Sequence, residues 1–213
     1  MHRDLAALVR PRKHYQWYYS TREANPNMYR ARPGVHDFLR AYYHHKSGDW
    51  PGNKPHPLSA WSAEELAELP TCYVMDLDKT MVETAAAVMP DAAAIAANGW
   101  LPDRELGYYY GAEHQRTGLQ GGLQWYRCGT SGAFNAELQL WSGRCIDVPA
   151  AFISGKLDSG THQRAGAFEA MQTRASSNMV SRELVNGAGD WVQQEQPEAV
   201  NDLLLRFMNK LTA

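Results

Sequence analysis

Residues 146–211 read IDVPAAFISGKLDSGTHQRAGAFEAMQTRASSNMVSRELVNGAGDWVQQEQPEAVNDLLLRFMNKL. Valine, alanine, phenylalanine and isoleucine within 148–153 make a short apolar run closed by Gly155, the pattern of a buried strand. Asp158 follows directly, where an α/β sheet presents its chemistry beyond a strand's carboxyl end. The spacing over Arg164–Arg174 predicts a helix, and a second apolar segment spans Met179–Val185. Gly187, Ala188 and Gly189 then make a turn that carries Asp190. Pro197 opens the last helix, where a missing N–H is tolerated. Val200, Leu203, Leu204, Phe207 and Leu211 lie along one face of it.

The residues upstream differ in character. After a basic start, HYQWYYS (14–20) begins an aromatic segment expected to be a half-buried helix ending near Asn25-Pro26, because the residue before proline avoids helical geometry. Val35–His45 has helical spacing, and 46–61 (KSGDWPGNKPHPLSAW) is a loop by composition. Ser62 is placed to cap a short helix, with Glu65 three residues on. Met81–Asn98 is Ala-rich and is expected to divide at Pro90. Asp103–Gly118 and Leu119–Arg127 are two further helical segments. Strand signal is confined to the region after Val148, an unusual order for an α/β domain, whose strands ordinarily alternate with helices throughout.

Composition narrows the class. The chain has 213 residues, 44% hydrophobic and 21% charged, with a formal charge of −2. That balance offers no electrostatic case for nucleic acid or an anionic membrane. No apolar run approaches the about 20 residues that span a bilayer, and the N-terminus lacks the form of a secretion signal. Cys72, Cys128 and Cys145 form no CxxC pair, which reads as reduced thiols in a cytoplasmic protein.

The C-terminal order of elements resembles the last part of the α/β-hydrolase fold, and within it the epoxide hydrolases. GKLD (155–158) is similar to that family's strand-end acid, and GAGDWVQQEQPEAVNDLLLRF (187–207) to the segment bearing its catalytic histidine. GLQGGLQWYR (118–127) resembles the lid segment and places Tyr126 on one lid tyrosine; HYQWYYS resembles the segment of the other, which is assigned to Tyr18. The resemblance implies an α/β class in partial form: a mostly helical lid or cap, residues 1–143, then the last strands and helices of the core, 144–213. It implies a small apolar substrate such as an epoxide, whose oxygen the two phenols would hydrogen-bond and protonate as the ring opens. It implies no cofactor and no metal.

Two departures matter. Asp190 stands where the family has histidine. A carboxylate there cannot act as an imidazole does, and near the Asp158 acid it would share a proton or be repelled. GxSxG, GxDxG and HGxP patterns are all missing from the 213 residues, so the nucleophile elbow of the family is not in the sequence. Of the catalytic set this leaves Tyr18, Tyr126 and Asp158, with Asp190 at the histidine position. The expectation is a chain that begins at the lid, does not turn over epoxides alone, and needs a partner chain or a homo-oligomer to complete its core.

Two other readings stand beside this one. The chain could be a non-catalytic binding or interaction protein that retains the aromatic lid. Alternatively, CYVMDLDKT (72–80) is similar to the haloacid-dehalogenase phosphatase signature, with Asp76 as phosphoryl acceptor, Asp78 as general acid and Mg²⁺ as counter-ion. Its context is poor, with Pro70 before a very short apolar run and no recognisable downstream acid pair. His44, His45, Asp49 and His56 lack metal-ligand spacing and read as solvated side chains.

Overall fold

The computed structural model describes residues 1–212, with the side chains of Tyr109 and Thr212 left out of the description. Its contacts divide the chain into two compact units. The first comprises Met1–His45 with Ser62–Leu138; the second comprises Lys46–Trp61 with the residues from Gln139 onward.

The first unit is built from short helices around one small sheet. In order these are α1 (His2–Ala6), β1 (Arg12–His14), α2 (Tyr15–Ser20), α3 (Ala24–Tyr29), α4 (Val35–Lys46), α5 (Ala63–Ala67), β2 (Val74–Asp76), α6 (Met81–Ala86) and α7 (Ala92–Ala97). Then follow α8 (Asp103–Glu105), a π-helical stretch (Leu106–Gly111), α9 (Ala112–Thr117), α10 (Gln120–Ser131) and α11 (Asn135–Gln139). β1 and β2 pair antiparallel, with Lys13 opposite Met75. This sheet departs from the expectation of strands only after Val148: three residues are too few to show a period in the sequence. Leu5, Tyr73, Met75, Met28 and Leu66 are fully buried around it.

The aromatic segment also departs from its expected ending. α2 stops at Ser20, and Pro26 sits inside the first turn of α3. There the proline removes an N–H that has no intrahelical acceptor in any case. The division at Pro90 is present, with Asp91 accepting the Ala94 N–H at 2.8 Å to start α7.

The second unit holds β3 (Ala150–Gly155), a 3₁₀ turn (Ser159–His162), α12 (Ala167–Thr173), β4 (Met179–Val185), α13 (Val192–Glu195) and α14 (Pro197–Thr212). β3 and β4 run parallel, with Ile153 opposite Glu183 and Gly155 opposite Val185. A parallel pair needs a crossover, here supplied by the 3₁₀ turn and α12. Ala188, Val192 and Val200 form the buried centre, with Ile153 and Val185 packed on it. The loop after α4 joins this unit through contacts only glycine allows: a Cβ on Gly189 would overlap the Lys46 carbonyl, and one on Gly155 would overlap the Gly189 carbonyl. The second unit thus has an α/β arrangement in partial form, and the first is mostly helical.

Candidate active site

In the first unit the chemistry-bearing side chains are tyrosines. His14 ends β1 and caps α2, its Nδ1 accepting the Gln16 N–H at 3.3 Å. Burial holds the His14 imidazole down to about 4, so it is neutral at pH 7 and able to accept. Helical spacing then turns Tyr15, Tyr18 and Tyr19 inward. Tyr126, from α10, meets the edges of two of them: Tyr15 at 5.7 Å and Tyr19 at 4.9 Å between ring centroids.

Tyr18 lies against other groups. Its ring is beside Tyr19 at 5.8 Å and under the Lys13 ammonium at 5.2 Å. Its hydroxyl accepts from Asn27 Nδ2 at 3.4 Å. Burial pushes the Tyr18 phenol up, partly offset by the Asn27 hydrogen bond. Rings in contact with Tyr126 thus include Tyr15 and Tyr19, which the sequence reading did not single out. The signal was present in the i, i+4 spacing of 15 and 19 about the same helix face.

A cavity of about 440 Å³ opens beside this cluster. Tyr19, Phe38, Tyr42, Tyr43, Leu123 and Tyr126 supply much of its wall, and His114 adds an imidazole. Among the described lining residues there is no Asp, Glu, Lys or Arg. Burial pushes the Tyr43 phenol up, with Tyr110 and Tyr42 nearby adding to the effect. The cavity suits a neutral, apolar molecule.

In the second unit the parallel pairing brings Asp158 and Asp190 to the carboxyl ends of neighbouring strands. Asp158 Oδ1 accepts the Gly160 N–H at 2.6 Å, and Oδ2 accepts from Ser154 Oγ at 3.1 Å, so the acid caps the 3₁₀ turn. His162 ends that turn, its ring 5.6 Å from Phe168; burial lowers its pKa, against the raising influence of Glu169 and Asp158.

Asp190 is held from two sides. Its N–H donates to the Lys46 carbonyl at 2.9 Å, and Lys46 Nζ donates to both carboxylate oxygens at 3.3 Å. The Lys46 side chain is only 6% exposed. Lys46 therefore supplies the positive charge beside Asp190, a partner that no local pattern in the sequence revealed. Glu195 secures the same turn: its carboxylate accepts N–H groups from Gly48 at 2.6 Å, Gly189 at 2.9 Å and Trp191 at 3.2 Å.

The phosphatase motif is differently employed. Asp76, the last residue of β2, takes a bidentate contact from Arg10 at 2.6 and 2.9 Å and lies 3.2 Å from Lys79. The Arg10 hydrogen bond, foremost, holds its carboxyl below the usual carboxylate range. A phosphoryl acceptor needs an open carboxylate beside a metal, whereas Asp76 is closed by cations. Among the described residues no group of three or more His, Cys, Asp or Glu is arranged to hold a metal. No described helix is long and apolar enough to cross a membrane. Cys72, Cys128 and Cys145 form no disulfide with one another.

Comparison with known proteins first defines the class. A solved epoxide hydrolase from an endophytic Streptomyces superposes with a TM-score of 0.75, covering 99% of this chain and 56% of that one at 24% identity. Epoxide hydrolase A from Mycobacterium thermoresistibile gives a TM-score of 0.64 at 26% identity, covering 93% and 52%. The fold is that of the α/β-hydrolases, present in part.

Sequence relatives narrow this further. Epoxide hydrolase A of Mycobacterium tuberculosis is 36% identical over 128 residues, 58% of this chain and 36% of that protein. The epoxide hydrolase of Caballeronia sordidicola is 33% identical over 102 residues. No protein-family model matches the chain. The chain is epoxide-hydrolase-like in sequence and in fold. It covers 56% of the Streptomyces structure, and its matched segment covers 36% of the M. tuberculosis protein.

Proposed function

We propose that this chain supplies the ligand-binding lid and the acid-bearing C-terminal core segment of a hydrolase acting on epoxides, and that it binds such a ligand without opening it unaided. The observation carrying this reading is the seat of Tyr126: on the lid motif, in the wall of a cavity whose described lining has no Asp, Glu, Lys or Arg, edge-on to Tyr15 and Tyr19. Residues 1–143 are the lid in this reading and 144–213 the core segment. Tyr126, with Tyr19 of the same cavity wall as second phenol in place of Tyr18, would hydrogen-bond the epoxide oxygen and deliver a proton as the C–O bond breaks.

Ring opening further needs a nucleophile, and hydrolysis of the resulting ester needs a base. The 213 residues contain no nucleophile elbow. Asp190 is a carboxylate facing Lys46, and a carboxylate is by its nature a weaker base than the imidazole of the family pattern. Asp158 is the acid that would orient a histidine at 190. Hydrolysis thus requires further strands and a nucleophile from residues other than these 213, since a second copy of them brings no nucleophile elbow. A cytoplasmic location accords with three cysteines that are not joined by disulfides.

The test is a titration of the chain with styrene oxide, followed by ligand-observed NMR, with diol formation monitored in parallel. Saturable binding, weakened in Tyr126→Phe, without diol above the buffer rate is the expected result. Failure to bind overturns the lid assignment, and diol formation by the wild-type chain alone overturns its dependence on further residues.

A further inference from the structure

Helix α10 opens on Gln120-Gly121-Gly122, and glycine forms helix less readily than alanine. Neither glycine has a positive φ, so no left-handed backbone demands one. Nor does crowding: a Cβ built on Gly121 or Gly122 meets no atom within 4 Å. Both line the 440 Å³ cavity beside Tyr126. Both positions are therefore open and exposed at the border of the cavity. Gly129 lies in the same helix with equally open surroundings, but it is not part of the cavity wall.

We propose that Gly121 and Gly122 are specificity-determining residues that admit a bulky ligand, and that the cavity binds a neutral molecule carrying two aromatic rings. The charge class follows from the described lining, which has no carboxylate, ammonium or guanidinium. The ring preference follows from Tyr19, Phe38, Tyr42, Tyr43 and Tyr126, whose edges and faces favour aromatic partners in offset or edge-on contact. Any side chain at 121 or 122 would stand in the volume the second ring uses, whereas a one-ring ligand leaves that volume empty. The inference rests on the reading of this cavity as the lid's ligand site, and it names the bulk that site accepts.

The experiment compares dissociation constants for styrene oxide, trans-stilbene oxide and trans-stilbene by ligand-observed NMR, on wild type, Gly121→Leu, Gly122→Leu and Gly129→Leu. Wild type is expected to bind all three. Gly121→Leu and Gly122→Leu should weaken both two-ring probes by roughly tenfold or more while leaving styrene oxide within about threefold. Gly129→Leu should change none, and all three variants should melt at or above the wild-type temperature, since leucine is the better helix former.

Equal weakening of one-ring and two-ring probes overturns the inference, as does an equal effect of Gly129→Leu. Unchanged size preference in the wall variants overturns it while leaving the epoxide reading intact. If trans-stilbene binds as tightly as its oxide, the epoxide oxygen contributes nothing to recognition, so bulk selection by the glycines stands and the epoxide reading falls. A wild type that binds neither two-ring probe also overturns it.

Discussion

His14 and Glu195 are buried ionisable groups whose pKa values move in opposite senses. Burial holds the His14 imidazole at about 4, below its usual 6.5. The unfolded chain therefore binds more protons between these values, and His14's contribution to stability is present above about 6.5 and lost as pH falls toward 4. The full loss is about 3 kcal/mol. Asn at this position keeps a cap acceptor for Gln16, so His14→Asn should flatten the acid limb of a stability-versus-pH curve. An unchanged slope would contradict it.

Burial raises the Glu195 carboxyl, although three N–H donors oppose the effect. Its contribution is full below the ordinary glutamate range and declines as pH rises through the raised value. In Glu195→Gln the amide nitrogen must face one of the N–H donors, and about 1–3 kcal/mol of stability should be lost, read by urea titration. Asp190→His removes the carboxylate facing Lys46 and should cost about 1–3 kcal/mol, discounted because Asp190 is partly exposed. Adding Lys46→Met should recover part of that loss; strictly additive effects would show that the pair is not coupled. At this scale Asp158 and Asp190 were legible as letters in a motif. Their environments were not, because Lys46 approaches Asp190 from 144 residues away.

At the scale of elements, local signals worked where one element contains its own cause. Ser62 accepts the Glu65 N–H as its position implied, Pro90 separates α6 from α7, and Pro197 opens α14. A complete capping box also forms at Thr80 and Glu83, where each side chain bonds the other's backbone N–H. The DLDKT stretch drew that threonine into a phosphatase reading, but its role is to start a helix. Thr80→Ala should cost about 1 kcal/mol in thermal melts without affecting ligand binding; a loss of binding alone would point to a different role. β1 and β2 escaped detection because each is three residues long and is fixed by its partner across the sheet, reinforced by Arg12 donating to the Val74 carbonyl.

At the scale of the molecule, the second unit leaves much of its apolar surface uncovered. Its sheet has two strands, fewer than independent stability ordinarily needs. On α14, Val200 is buried, whereas Leu204, Leu205, Met208 and Leu211 are exposed. Exposed apolar residues in such a group favour association. The purified chain should therefore self-associate as concentration rises in sedimentation equilibrium, and Leu205→Glu with Met208→Lys should shift it toward monomer. A monomer at every concentration would contradict this.

The sequence by itself determined the class: strand, acid, helix, strand, glycine turn and amphipathic helix, with an aromatic segment upstream that resembles a hydrolase lid. These depend on periodicity, on proline and glycine geometry and on caps, all written within a few residues. Only the tertiary structure decided that Tyr126 meets Tyr15 and Tyr19, that Gly121 and Gly122 border the cavity, and that Lys46 faces Asp190. Ring contacts, cavities and ion pairs depend on which distant segments the packed backbone brings within a few ångströms, and no local periodicity encodes that distance.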